Sequence, residues 1–123
     1  MAENYSREGK GFRQLLIWQR AHEMTLAIYD LTKSFPSEEK HGITSQIRRA
    51  ASSVPANIVE GHAAGQGNFK RHLLIAKGSL AEVEYFLILA KDLKYSSSDK
   101  IEKAEKLRAK TGYLLHRFLQ SMK

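Results

Sequence analysis

Residues 69–90 read FKRHLLIAKGSLAEVEYFLILA. Within them Phe69, Leu73, Ala76, Leu80, Val83, Leu87 and Ala90 recur every three or four residues, the spacing of one helix face. No stretch of the chain shows the sustained alternation of a strand. The punctuation on either side supports the same reading. Tyr95-Ser96-Ser97-Ser98 interrupts the pattern downstream, and Gly61, Gly65 and Gly67 interrupt it upstream. Asn68 has the side chain of a helix N-cap, so this helix is expected to start there.

Moving outward, the same period recurs three more times. A first helix is predicted from about Phe12 to Lys33, with the stripe Ile17, Ala21, Met24, Ile28, Leu31. Phe35-Pro36 ends it, because the residue before a proline avoids helical geometry. A second is predicted from about Glu38 to Glu60, with Ile43, Ile47, Ala50, Val54, Ile58, and with Gly61 as its stop. Pro55 lies inside it. A proline removes one backbone hydrogen bond and crowds the preceding turn, so a kink or break is expected near Ala51 to Val54. Asn57 or Glu60 is expected to meet the groups so freed. The fourth helix is predicted from Ser98 or Asp99, with Asp99 and Glu102 at capping-box spacing. Its stripe is Ile101, Ala104, Arg108 by its stem, Thr111, Leu115, Phe118 and Met122, with Leu107 and Leu114 alongside.

Four amphipathic helices with short connections predict an all-α domain, an antiparallel up-down-up-down four-helix bundle over residues 12–123. Residues 1–11 are polar and read as a flexible tail without the apolar core of a signal peptide. The chain's 123 residues suit one domain with a sizeable core. It has no cysteine, which excludes disulfides and thiolate metal sites. The longest apolar run, Tyr85 to Ala90, is too short to span a bilayer. No membrane association and a cytoplasmic location are expected.

Two helices carry more apolar surface than one core needs. Leu74, Gly78, Ala81, Tyr85 and Ile88 form a seam nearly opposite the core stripe of the third helix. Leu15, Trp18, His22, Leu26 and Tyr29 form a second stripe on the first. Either these residues cap the ends of the core, as is plausible for Leu26, or they meet another subunit. The subunit reading makes Leu15, Trp18, His22, Tyr29, Leu74, Gly78, Ala81, Tyr85 and Ile88 the candidate interface.

Lysine and arginine number 20 against 13 acids, a net charge of +7, which favours polyanionic partners or simply keeps the chain soluble. Lys103, Lys106, Lys110 and Arg117 fall within about 60° of one another on the fourth helix and make a cationic ridge. Arg48, Arg49, Lys70 and Arg71 add clusters near the ends of the second and third helices. Arg48-Arg49 suits phosphate geometry, but an arginine buried against Glu60 or Glu84 fits equally. The sequence carries no recognisable catalytic constellation. Glu38-x-x-His41 occurs once where a di-metal bundle needs two copies. Gly61–Gly67 lacks the Gly-Lys-Ser/Thr ending of a phosphate loop. Glu82 and Glu84 point to different faces. No enzymatic activity and no cofactor are expected.

FRQLLIWQRA at residues 12–21, Phe35-Pro36, GITSQIRRAASSVPANIVEG at 42–61 and IAKGSLAEVE at 75–84 resemble the 23S rRNA intervening-sequence protein family, also described as four-helix-bundle proteins. The resemblance covers roughly Phe12 to Lys94. It implies a bundle that assembles into a ring, typically a pentamer. A branch similar in fold serves as accessory protein of diversity-generating retroelements, beside a reverse transcriptase and its RNA. The family commonly has an arginine three residues past Gly61, where this chain has Ala64; its role would pass to Lys70 or Arg71. The combined expectation is a non-enzymatic, ring-forming homo-oligomer that binds RNA or an RNA-associated partner such as a nucleic-acid enzyme. The alternative is a structural oligomer or protein-binding scaffold, or a regulatory subunit, without RNA contact.

Overall fold

The computed structural model describes residues 11–122, with Gln66 through its backbone only. The tail expected over residues 1–11 lies outside the described residues but for Gly11. Four α-helices follow one another: α1, Leu16–Thr32; α2, Ile43–Ala64; α3, Gln66–Asp92; and α4, Ser98–Ser121. Short 3₁₀ turns at Phe12–Gln14 and Ser37–Glu39 occupy what the sequence assigned to the first residues of α1 and α2.

The periodic stripes form the core. Ile17, Ala21, Met24, Ile28 and Leu31 of α1 are buried against Ile43, Ile47, Ala50, Val54 and Ile58 of α2 and the whole predicted stripe of α3. From α4 come Ile101, Ala104 and Leu115, with Leu107, Leu114, Phe118 and Met122 partly buried. Each helix packs on two others: α1 on α2 and α4, α3 on α2 and α4. The side-chain pairs across the seams give the directions. Thr25 meets Ala51 and Thr32 meets Arg48, so α1 and α2 run opposite ways. Ser53 meets Ser79 and Asn57 meets His72, which sets α3 against α2. Phe118 beside Phe69 and Arg108 beside Glu84 do the same for α4.

Helix α2 is continuous through Pro55, so of the kink or break expected there the break does not occur. Proline frees the carbonyl of Ala51, four residues earlier. The Thr25 hydroxyl of α1, which also reaches the Ala21 carbonyl at 2.9 Å, lies 3.2 Å from that oxygen. The freed acceptor thereby shares the single Thr25 hydroxyl hydrogen with the Ala21 carbonyl. Asn57 instead donates to the Ser53 carbonyl at 2.8 Å, and Glu60 stands beside His72, so neither takes the expected part.

Two helix ends also differ from expectation, while α4 starts at Ser98 as expected but with a different cap. Gly61 does not stop α2; it lies buried inside it. A Cβ there would sit 2.8 Å from Phe69 Cδ1 and 2.9 Å from His72 Cβ, so the glycine permits the close approach of α2 and α3. The stop is Gly65, whose φ of 94° suits a residue without Cβ. The chain then enters α3 at Gln66, leaving Asn68 inside the first turn. At α4 the cap is Ser97, whose hydroxyl accepts from the Lys100 N–H at 3.2 Å; Asp99 lies in the first turn.

The α3–α4 connection closes one end of the bundle. Lys94 has φ of 60°, Tyr95 N–H reaches the Ala90 carbonyl and Lys94 N–H that of Lys91, the bonding pattern of a Schellman C-cap. Tyr95 is then fixed by the α1–α2 connection. Its carbonyl accepts from Ser34 at 2.9 Å, and its phenol donates to Glu39 at 2.7 Å.

Candidate nucleic-acid interface and subunit surface

The ridge residues Lys103, Lys106, Lys110 and Arg117 are all exposed on α4. Among the described residues no ion pair engages the three lysines. Arg117 donates to the Tyr113 hydroxyl at 2.9 Å, which steadies it without neutralising it. One acid of α4 is drawn elsewhere. Glu105 receives two hydrogen bonds from Arg108, at 2.8 and 2.6 Å, and Glu84 of α3 lies 3.6 Å from the same guanidinium. The Glu105 hydrogen bonds hold Arg108 above its already high ordinary pKa, against a smaller opposing effect of burial. The exposed acids left on α4 are Asp99 in the first turn and Glu102, next to Lys103; beyond them Lys106, Lys110 and Arg117 keep their positive charge.

The remaining cations lie apart from the ridge. Arg48 is half-buried between α2 and α1: its Nε donates to Thr32 Oγ1 at 2.8 Å, and its guanidinium sits 4.6 Å from the Tyr29 ring centroid. The alternative pairing with Glu60 or Glu84 does not form, since Glu84 goes to Arg108. Arg49 is exposed and lines a polar cleft between α2 and α3. Lys70 and Arg71 are exposed in the second turn of α3, towards the other end of the bundle. The eight candidate cations thus do not form a single face, although Lys70 lines a groove with Phe118, next to Arg117.

Sequence reasoning missed a polar chain along the α2–α3 seam. His72 Nδ1 lies 3.0 Å from Asn57 Oδ1 and 3.7 Å from Glu60. The Asn57 amide reaches Ser53 Oγ at 3.1 Å, and Ser53 Oγ lies 2.9 Å from Ser79 Oγ. The signal was the spacing of Ser53 and Asn57, one turn apart on one face.

The second apolar seam of α3 lies on the surface. Leu74, Tyr85 and Ile88 are 50%, 56% and 52% exposed, and Gly78 and Ala81 are exposed between them. The second stripe of α1 divides. Leu15 and Trp18 pack partly against the core, as core-capping requires. His22 is exposed and stacks on Trp18 with ring centroids 5.0 Å apart, and Phe12 meets the same indole edge-on at 5.1 Å. Tyr29 is exposed, and Leu26, the residue most readily assigned to the core's end, is 57% exposed. Among the described residues no group of three or more His, Asp or Glu side chains is placed to hold a metal ion. No helix among them is long and apolar enough to cross a membrane.

Residues 13–117 match the model of the 23S rRNA-intervening sequence protein family. Among solved structures, a protein of unknown function from the S23 ribosomal protein family of Bacteroides thetaiotaomicron VPI-5482 is similar. It shares 26% identity and a TM-score of 0.77, over 85% of this chain and 96% of that one. No curated protein matches the chain. The family match runs from the turn before α1 almost to the end of α4, so this chain belongs to the 23S rRNA-intervening sequence protein family.

Proposed function

We propose that this protein is a non-enzymatic, basic, self-assembling bundle that binds RNA, alone or beside an RNA-associated partner. The observation that carries the reading is the α4 ridge. Its three lysines are exposed and, among the described residues, in no ion pair, while Glu105 of the same helix is engaged by Arg108. A row of cations on a straight helix attracts a phosphate backbone by charge and counterion release, whatever the base sequence. Family membership supports the same partner class.

Assembly is the second half of the proposal. The α3 seam and the exposed part of the α1 stripe are different surfaces, so one subunit can present its α3 seam to the α1 face of the next. Such head-to-tail contacts close into rings. The ring of five implied by the family resemblance is the proposed state, in the cytoplasm. The exposed α3 seam also favours a second reading, a scaffold that assembles without touching RNA. Fluorescence anisotropy with a structured RNA at low salt separates the two. Binding by the wild type that weakens when Lys103, Lys106 and Lys110 become glutamine supports the proposal. Absence of binding at low salt refutes it in favour of the scaffold.

A further inference from the structure

The cleft between α2 and α3 plays no part in the proposal above, which rests on α4 and the apolar faces. It encloses about 470 Å³ and is lined by His41, Gln46, Arg49, Ser53, Ser79 and Glu82, among others. Arg49 and Glu82 carry opposite charges into one cleft. Yet among the described residues neither is in an ion pair. Both therefore keep their hydrogen-bonding capacity for something that enters.

The serine pair adds a donor. Ser53 and Ser79 share a single bond between their hydroxyls at 2.9 Å, with the Asn57 amide donating to Ser53 Oγ from behind. Only one of the two hydroxyl hydrogens serves the mutual bond. Whichever serine donates, the other's hydrogen remains for a third acceptor at the cleft wall.

These groups select a ligand chemistry. A guanidinium fork fits the oxygens of a phosphate. A carboxylate can only accept, so beside that phosphate it calls for a neutral group with an O–H or N–H. A ribonucleotide carries such a group next to its phosphate, the 2′-hydroxyl, and a deoxyribonucleotide lacks it. We infer that the cleft takes one ribonucleotide unit of an RNA strand, with a phosphate on Arg49 and the 2′-hydroxyl on Glu82. The spare serine hydrogen serves a second phosphate or sugar oxygen. The ridge then holds nucleic acid without regard to sugar, and the cleft makes the protein prefer RNA. This inference rests on the RNA reading and adds the choice of sugar to it.

The test compares a short labelled RNA with DNA of the same sequence, by anisotropy at one fixed salt concentration, using the full chain. The expected wild-type preference for RNA is about tenfold, the scale of one hydrogen bond to a charged group. Glu82→Ala should bring the ratio of affinities close to one, even though loss of a negative charge strengthens binding to both strands. Arg49→Ala should weaken binding to RNA about tenfold. Glutamine at Lys103, Lys106 and Lys110 should weaken both strands and keep the ratio. Circular dichroism melts check that these surface variants fold.

A parallel titration follows backbone amide NMR shifts with AMP, dAMP and inorganic phosphate. AMP should move the signals of Gln46, Ser79 and Glu82 more than dAMP does. A wild-type ratio near one, or a ratio that survives Glu82→Ala, overturns the cleft assignment while leaving RNA binding by the ridge intact. If neither oligonucleotide binds but AMP still shifts those signals in preference to dAMP, the RNA reading fails. The cleft's sugar selectivity then stands, with a free ribonucleotide as its occupant. No oligonucleotide binding together with no AMP shift overturns both.

Discussion

Replacing Gly61 by alanine tests how closely α2 and α3 approach. On an exposed helix the change would stabilise by about 1 kcal/mol, because glycine is the poorer helix former. Here the added Cβ would meet Phe69 Cδ1 at 2.8 Å, His72 Cβ at 2.9 Å and Phe69 Cα at 3.3 Å. The Phe69 ring has little room to turn, since it lies against Phe118 at a centroid distance of 5.4 Å and faces His62 edge-on. The His72 Cβ moves only with the backbone of α3. Overpacking of this kind costs about 1–3 kcal/mol. With two contacts below 3.0 Å the upper part of that range applies. The net loss after the helix-propensity gain is about 1–2 kcal/mol. That corresponds to a fall in Tm of about 4–8 °C for a domain of this size. Urea and thermal unfolding followed by circular dichroism, at one protein concentration, measure it. Gly67→Ala, outside the α3 seam, is the reference, because nothing lies within 4 Å of its added Cβ. A Gly61→Ala protein as stable as the wild type, or more so, would refute the close approach.

Other perturbations probe other contacts. Thr25→Val keeps the shape but leaves the Ala51 carbonyl unsatisfied beneath Pro55, and should cost about 1–2 kcal/mol in urea unfolding; no loss would mean that water takes the acceptor. Tyr95 donates to Glu39, and that hydrogen bond, with small contributions from burial and the nearby negative charges, raises its phenol above its ordinary value. A group raised in the folded state stabilises below its unfolded pKa and loses that contribution as pH rises through the folded one. Stability should therefore fall above about pH 10, and Tyr95→Phe should remove the last-titrating phenol from an ultraviolet titration. Tyr85→Glu puts a charge into the exposed α3 seam and should reduce the mass seen by light scattering; a wild type that is already monomeric would remove the basis for self-assembly.

The core was legible in the sequence because burial repeats with the helix. Every stripe residue predicted for α1, α2 and α3 is buried. Thr25 and Thr32 were missed because they look polar, yet each returns its hydroxyl to the carbonyl one turn back and buries at little cost. Glycine was the ambiguous letter. Gly61 and Gly65 read alike in a string, but one answers to a neighbouring helix and the other to a left-handed turn. Ser97 and Asp99 are both good caps, and only the backbone decides between them. The α4 ridge could be read because it lies on one helix. The Arg49–Glu82 cleft could not, since its two charges come from different helices and their register is set by Gly61 and the Ser53–Ser79 contact.

The most direct test of the central claim is the salt dependence of RNA binding. The logarithm of the association constant against the logarithm of salt concentration should be steeply negative for the wild type. With Lys103, Lys106 and Lys110 changed to glutamine, its slope should shrink by up to about three phosphate equivalents, at about 0.9 each for a duplex. A wild-type affinity that does not change with salt, or a slope unaltered in the triple variant, would contradict the account.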